Sequence, residues 1–160
     1  MLTTIAGLPA HVLLVHAVVV LAPLTALLEI LCALWPAARR RLVWLVLAFA
    51  VVTTALTLIT ANAGEWLYDR ERHHPDILNT HADRGGWMTY FSIAMLVVSI
   101  VLVLVHWRES RSAKPGMGTN LAVAILAIGV GAASIVQVVR IGDSGARSVW
   151  ASELTKSDKP

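Results

Sequence analysis

The histidines of this chain are the residues whose type and position best suit chemistry. Six histidines occur in 160 residues. Five of them fall at or near one end of the apolar stretches described below: His11, His16, His73, His74 and His81. Imidazole nitrogens bind transition metals and haem iron, and they exchange protons near neutral pH. This concentration of histidines is the main indication of function in the sequence.

His16 and His81 are the predicted axial ligands of a haem b. A helix bundle holds haem between histidines on facing helices, because the iron needs two opposed donors. His16 lies within an apolar stretch, and we expect it to face the bundle because a polar group is costly against lipid. His81 begins a stripe at helical spacing that continues through Gly85, Met88, Ser92 and Met95. Gly85 and Gly86 predict room beside His81 for a planar ligand or for close helix contact, and Met88 is a candidate replacement for one histidine.

Simpler interpretations of these residues stay open. Hydrogen bonds to loop carboxylates and to the backbone could satisfy the histidines without any cofactor. A surface metal site of His73, His74 and Asp76 with His81 is a further alternative, although its spacing matches no zinc signature.

Arg140 is the predicted anion partner at the same end of the molecule. Its guanidinium could bind a haem propionate, a lipid phosphate or the carboxylate of Asp143.

Glu29 is the only acidic residue within the apolar stretches. An ionisable residue inside a membrane is a candidate for function by default. We expect structural pairing with Arg39, Arg40 or His106, while snorkelling of the carboxylate and a proton path are the alternatives.

Four apolar stretches must position these residues. The chain is 57% hydrophobic and 14% charged, whereas soluble domains carry about 25% charged residues. The stretches cover residues 9–35, 42–63, 87–107 and 120–141, and a bilayer needs about 20 apolar residues per helix. We therefore predict an all-α protein in which residues 1–154 form one bundle of four transmembrane helices. Residues 155–160 are predicted to be a disordered tail.

Basic residues predict the orientation of the bundle. The two short loops between stretches hold Arg39, Arg40, Arg41, Arg108, Arg111 and Lys114, and cytoplasmic loops retain such residues. Both termini and the histidine-rich loop over residues 64–86 should then lie outside the plasma membrane of a bacterium. We also expect the first stretch to be a retained helix, since residues 1–10 lack the basic residues of a secretory signal.

Small and hydroxylated residues predict where the helices touch. Gly129 and Ala133 are one turn apart and stand beside Gly131 and Ala132. Thr53, Thr57 and Thr60 follow helical spacing. Both patterns are typical of contacts between membrane helices, because small residues permit close approach and hydroxyls bond across the interface.

Several functional classes are excluded. Cys32 is the single cysteine, so neither an intramolecular disulfide nor an iron–sulfur cluster can form. The sequence has no phosphate loop, no Ser-His-Asp order and no paired carboxylates of recognisable spacing. Its basic residues are too dispersed for nucleic acid. We expect no independent enzymatic activity, and an oligomer remains open.

Three segments resemble a bacterial family of four-helix membrane proteins with a domain of unknown function, in an actinobacterial branch. They are Gly7-Leu8-Pro9-Ala10-His11 with the residues up to His16, Gly64-Glu65-Trp66-Leu67 before a loop ending in His81-Ala82-Asp83, and the run from Arg140 to Trp150. Relatives are sometimes joined to Rieske-type or cytochrome c-type modules, which implies a redox connection.

The chain departs from that family pattern at two positions. Many relatives carry a histidine-proline pair where this chain has Ala10-His11-Val12, and often a histidine where it has Asp143. These departures weaken the transfer of a ligand role from the family to His11 or Asp143.

Two hypotheses of different class follow. The first is a haem-b-binding or redox-associated component of the plasma membrane, with His16, His81 and Arg140 at the site. The second is a cofactor-free accessory subunit that contacts a respiratory or other membrane complex, or lipids. A divalent-metal carrier ranks last, because it needs acids and histidines within several helices and only Glu29 and His16 qualify.

Overall fold

The computed structural model describes residues 4–5, 7–111 and 116–157. The four helices are α1 (Ala10–Leu34), α2 (Pro36–Tyr68), α3 (Asp76–Ser110) and α4 (Met117–Ser157). Before α1, the two-residue strands β1 (Thr4–Ile5) and β2 (Leu8–Pro9) form a short antiparallel pair. Each helix is long and apolar enough to cross a membrane. The predicted all-α fold with four transmembrane helices is confirmed.

The helices form a square bundle in chain order. α1 packs against α2, α2 against α3, α3 against α4, and α4 returns to α1, so that α1 and α3 face each other across the diagonal. One end of the bundle therefore joins the N-termini of α1 and α3 to the C-termini of α2 and α4. We call it the histidine end, because His11 and His81 lie there. The opposite end, which contains Arg39, is the arginine end.

Proline and the polar helix ends set the boundaries of the helices. Trp35 alone separates α1 from α2, because Pro36 at a first helical position lacks the N–H that would continue α1. α2 includes the three arginines placed in a loop by hydropathy, and α3 begins at Asp76, well before its apolar stretch. α4 continues to Ser157, into the segment predicted to be disordered, and residues 158–160 of that segment lie outside the described residues.

Two apolar clusters fill the interior between the helices. The cluster nearer the arginine end comprises Cys32, Ala33, Val43, Val46, Val98, Leu102, Val105, Val123 and Ala127. The cluster nearer the histidine end comprises Ala22, Ala26, Met88, Met95, Val138 and Ile141. Hydroxyl side chains from all four helices are buried beside them.

Gly131 brings α4 close to α1. A Cβ at this position would lie 2.9 Å from Ile30 Cδ1 and 3.4 Å from the carbonyl oxygen of Ala26. Gly131 thus makes the contact expected of the small residues of α4, whereas Gly129, Ala132 and Ala133 are exposed on the outer face of the helix and do not. Thr53, Thr57 and Thr60 are buried, in agreement with their predicted contact role.

Candidate functional site

His11 and His81 meet across the diagonal of the bundle. His11 is in the first turn of α1, and His81 is in the second turn of α3. Their ring centroids are 6.2 Å apart, and the ring planes are nearly perpendicular at 85°. Two side chains from sequence-distant helices thus form a pair at the histidine end.

The ring of His11 is held by α2. Its Nδ1 lies 2.9 Å from the carbonyl oxygen of Thr60. Since a carbonyl oxygen only accepts, Nδ1 carries the proton and donates it in this hydrogen bond. The neutral ring then has a lone pair on Nε2, which is how a carbonyl fixes the tautomer of a metal-binding histidine.

The ring of His81 is held in the same way by α4. Its Nδ1 lies 3.3 Å from Ser144 Oγ. The Ser144 hydroxyl also lies 3.0 Å and 3.1 Å from the carbonyl oxygens of Arg140 and Ile141. Its single proton goes to a carbonyl, so the hydroxyl accepts from Nδ1–H of His81. Nε2 of this neutral ring also keeps its lone pair.

Two glycines leave the space in which the histidine rings pack. A Cβ at Gly64 of α2 would lie 2.8 Å from His11 Nδ1. A Cβ at Gly145 of α4 would lie 3.0 Å from His81 Cε1. Each ring therefore packs against helix backbone, in space that any larger residue would occupy.

Arg84 and Gln137 form hydrogen bonds between α3 and α4 beside the histidine pair. Gln137 Nε2 donates to the carbonyl oxygen of Arg84 at 2.7 Å, and Arg84 Nη1 donates to the carbonyl oxygen of Arg140 at 3.0 Å. The Arg140 side chain itself is exposed. Arg84 and Arg140 therefore both lie beside the histidine pair, and only Arg140 is predicted from the sequence.

His16 does not belong to this site, and the expectation that it faces the bundle is wrong. Its side chain is exposed on the outer surface of α1. Nδ1 lies 2.7 Å from the carbonyl oxygen of Val12 in the same helix. This local bond satisfies one ring nitrogen without any contact to the bundle interior.

The phase of α1 explains why His11 takes the inward position. Glu29 is buried, and His11 precedes it by eighteen residues, which is about five full helical turns. His16 precedes Glu29 by thirteen residues, or about three and a half turns, and so lies on the opposite face. This spacing was available in the sequence and would have selected His11.

Met88 lies too deep to serve as the opposite ligand to His81. It follows His81 by seven residues, which places it roughly 10 Å farther along α3. Its side chain packs in the apolar cluster with Ala22, Ala26 and Met95. The interior stripe predicted from His81 is thus largely a packing surface.

The residues proposed for a surface metal site remain apart from one another. His74 Nε2 bonds the carbonyl oxygen of Tyr68 at 3.0 Å and its ring packs on the Tyr68 ring at 4.2 Å between centroids. His73 and Asp76 are exposed. Within residues 4–5, 7–111 and 116–157, no group of three or more histidine, cysteine or acidic side chains could hold a metal ion. The structure therefore does not assemble the predicted surface site of His73, His74, Asp76 and His81.

Glu29 makes a different contact from the one expected. Ser99 Oγ donates to Glu29 Oε1 at 2.7 Å. Arg39 instead pairs with Glu109, with 2.6 Å between Nη2 and Oε1, and Arg40 is exposed. The predicted pairing of Glu29 with a basic residue is wrong. The Arg39 guanidinium instead donates its hydrogen bonds to Glu109 and to the carbonyl oxygens of Cys32 and Ala33.

The segments that carried the family resemblance converge at the histidine end. They contribute His11, Gly64, His81 and the pair Ser144-Gly145. Residues 7–158 match the model of the family described as "Predicted membrane protein (DUF2231)". No curated protein and no solved structure matches the chain. The chain belongs to this DUF2231 family of predicted membrane proteins.

Proposed function

We propose that this membrane protein binds haem b between His11 and His81 and takes part in electron transfer. The observation that carries the proposal is the pair of adjacent imidazoles, whose Nδ1 atoms both have hydrogen-bond partners, while neither Nε2 atom has one among the described residues. Compared with the pair expected from the sequence, His11 replaces His16, and His81 is retained.

The spacing of the rings fits two ligands on one metal. Imidazoles that bind one metal ion through Nε2, at about 2 Å each, have ring centroids roughly 6 Å apart. The centroids of His11 and His81 are 6.2 Å apart. Their hydrogen bonds to Thr60 and Ser144 would preserve the ligand tautomers, which is the usual role of a second layer of contacts around a metal.

Charge around the pair also suits haem. Haem b carries two propionates, and guanidinium groups bind carboxylates well because several N–H donors share one plane. Arg84 and Arg140 are the candidates from α3 and α4. When bound between two histidines, haem iron supplies one-electron transfer. The protein groups would hold the iron, fix the imidazole orientations and set the local charge.

The resemblance to relatives joined to Rieske-type or cytochrome c-type modules supports a redox role. Such modules carry electrons at a membrane surface, and a haem at one end of the bundle would lie where they could reach it. A partner of this kind in a respiratory or other membrane complex is therefore part of the proposal.

A cofactor-free accessory subunit is the second candidate, and His16 favours it. This imidazole is exposed on the outer face of α1, where contact with hydrocarbon is costly and contact with a neighbouring protein would relieve the cost. In that case the His11–His81 pair would be a structural contact between α1 and α3.

Purification in the presence of haem separates the two candidates. The full chain is expressed with haem precursors, extracted in mild detergent, and analysed for absorption and for haem and metal content per chain. The proposal predicts a Soret band and α and β bands of a low-spin iron with two nitrogen ligands. A colourless protein after haem supplementation would support the accessory role, and bound zinc or copper without haem would assign the pair to a simple metal ion.

A further inference from the structure

Glu29 has an unusual position for an acidic side chain. It is fully buried in the bundle, and the hydroxyl of Ser99 donates to its Oε1 at 2.7 Å. Oε2 has no hydrogen-bond partner within the part of the chain that the structure describes. Half of this carboxyl group is therefore available for another ligand.

The charged groups on the surrounding helices are directed elsewhere. On α2, Arg39 is occupied by Glu109 of α3 and by the carbonyl oxygen of Cys32. On α3, His106 forms no hydrogen bond to Glu29, and its Nδ1 is buried without a partner in the described chain. α4 carries no charged residue or histidine between Asn120 and Gln137. Glu29 therefore lacks a counter-charge among the described residues.

A charged carboxylate in this position is costly. Insertion scales put an ionised acid at the centre of a membrane helix at about 2.5–3.5 kcal/mol, and one hydrogen bond offsets only part of that cost. A proton on Oε2 removes the charge while the bond from Ser99 to Oε1 stays in place. The described parts of the four helices pack around this acid without supplying a basic partner.

We propose that Glu29 is a proton-binding site inside the membrane and that it exchanges its proton with water at the histidine end. In the exchange, Oε2 forms an O–H bond with an incoming proton and breaks that bond when the proton leaves. The site is independent of haem, since it needs only Glu29, Ser99 and the helices that enclose them.

Hydroxyl groups continue from Glu29 toward the histidine end. Thr25 lies one turn from Glu29 on α1, and its Oγ1 is 3.2 Å from Thr53 Oγ1 on α2. Thr57 and Thr60 follow on α2 at successive turns, and Oγ1 of Thr57 is buried without a partner in the described residues. Together Thr25, Thr53, Thr57 and Thr60 form a hydroxyl row, which ends where His11 bonds the Thr60 carbonyl.

Among the described residues, the interior toward the arginine end holds no such row of hydroxyls. Apolar side chains of the first cluster, among them Val43, Val46 and Leu102, fill the interior beyond Glu29. The buried Arg39–Glu109 ion pair lies past them. A layer without hydroxyls among the described residues offers a proton no groups to pass along, so the histidine end, toward which the hydroxyl row leads, is the favoured side of access.

Infrared difference spectroscopy tests the site directly. The full chain is reconstituted in liposomes, and spectra are recorded while the buffer pH is stepped. The proposal predicts a carboxylic acid carbonyl band that appears as pH falls and is lost in Glu29→Gln. The band should remain in Asp143→Asn, which removes an exposed acid. In Ser99→Ala it should shift to higher frequency, because the carbonyl loses its hydrogen bond.

Three results would overturn the proposal. The first is an acid carbonyl region that is identical in the natural protein and Glu29→Gln. The second is a Glu29 band that never responds to pH while the helices remain intact. The third is loss of the band on replacing choline with sodium at constant pH, which would assign Oε2 to a metal cation. If Glu29→Gln does not fold, the frequency shift in Ser99→Ala decides whether the band belongs to Glu29.

The side of access has a separate test in the same samples. Transfer to D₂O shifts the band as the acid proton exchanges, and Thr57→Val should slow that exchange by removing the unpartnered hydroxyl. Thr54→Val is the matched control, because the Thr54 hydroxyl is bonded to the carbonyl oxygens of Ala50 and Ser92. Equal exchange rates in both variants would contradict access along the hydroxyl row.

Discussion

At the scale of single residues, the histidine pair depends on two helix positions that have no side chain. Gly64 and Gly145 lie against the rings of His11 and His81. Glycine weakens a helix by about 1 kcal/mol relative to alanine, so its presence at both contacts indicates that ring placement outweighs helix propensity. The rings are thereby held by the backbone of the two helices that flank them.

Gly64→Ala should displace His11. The new Cβ would lie 2.8 Å from Nδ1, and such overpacking costs about 1–3 kcal/mol. We expect a lower unfolding temperature in detergent and loss of any haem bound to the pair.

Gly142→Ala is the control for the Gly64 substitution. A Cβ at Gly142 meets nothing within 4 Å, so the change should stabilise the helix by about 0.4–1 kcal/mol. Equal destabilisation by both alanines would show that the contact between Gly64 and His11 does not matter.

The sequence is sufficient to predict the burial of His11 but not the ion pair of Arg39. The burial of His11 follows from its helical phase relative to Glu29. The partner of Arg39 could not be predicted from the sequence, because Glu109 is seventy residues away and the ion pair forms only when α2 and α3 pack together. Sequence periodicity assigns faces to each helix, but it does not give the rotation of one helix against another.

At the scale of elements, the arginine end is locked by one buried side chain. Arg39 is fully buried, and its guanidinium bonds Glu109 of α3, Asn120 of α4 and the carbonyl oxygen of Cys32 in α1. One residue of α2 therefore contacts the other three helices. This cluster fixes how the four helix ends meet.

Arg39→Ala should destabilise the bundle strongly. Removing one partner of a buried ion pair leaves the other charge unpaired, which costs about 3–5 kcal/mol. Arg40→Ala is the matched control on an exposed neighbour, and it should change stability by less than about 0.5 kcal/mol. Thermal unfolding in detergent, followed by circular dichroism, compares the two variants. Similar unfolding midpoints would show that Arg39 does not hold the helix ends together.

Helix existence and helix length were predictable to different degrees. The four apolar stretches identified the helices, because a bilayer demands a continuous apolar run. Their ends were not identified, since α3 starts in the polar segment at Asp76 and α4 reaches Ser157. Polar residues outside the hydrocarbon are compatible with helix, so hydropathy cannot detect the extension. That extension places His81 on a helix.

At the scale of the whole molecule, the even number of candidate spans puts both ends of the described chain on the same side of the membrane. The orientation stays a prediction, which rests on the basic residues that follow the first and third apolar stretches, Arg39, Arg40, Arg41, Arg108, Arg111 and Lys114. With this orientation, the histidine pair lies on the outer side of the membrane and the Arg39–Glu109 ion pair lies on the cytoplasmic side.

Cysteine labelling tests this orientation. His73→Cys lies in the exposed connection between α2 and α3, and Met117→Cys lies at the highly exposed start of α4. The natural Cys32 is buried and should stay unlabelled. In intact cells an impermeant maleimide should react at position 73, and at position 117 only after the membrane is opened. Reaction at 117 but not 73 would reverse the orientation, and reaction at both would contradict the four-span arrangement.

The comparison of His11→Ala with His16→Ala is the sharpest test of haem binding between His11 and His81. Both substitutions remove an imidazole from α1, but only His11 packs against His81, whereas His16 is exposed. With haem-supplemented, detergent-purified protein, we expect His11→Ala to abolish the low-spin spectrum or convert it to a high-spin one. His16→Ala should keep the spectrum and haem content of the natural chain. Loss in His16→Ala with retention in His11→Ala would contradict the site, as would a natural chain that binds no haem.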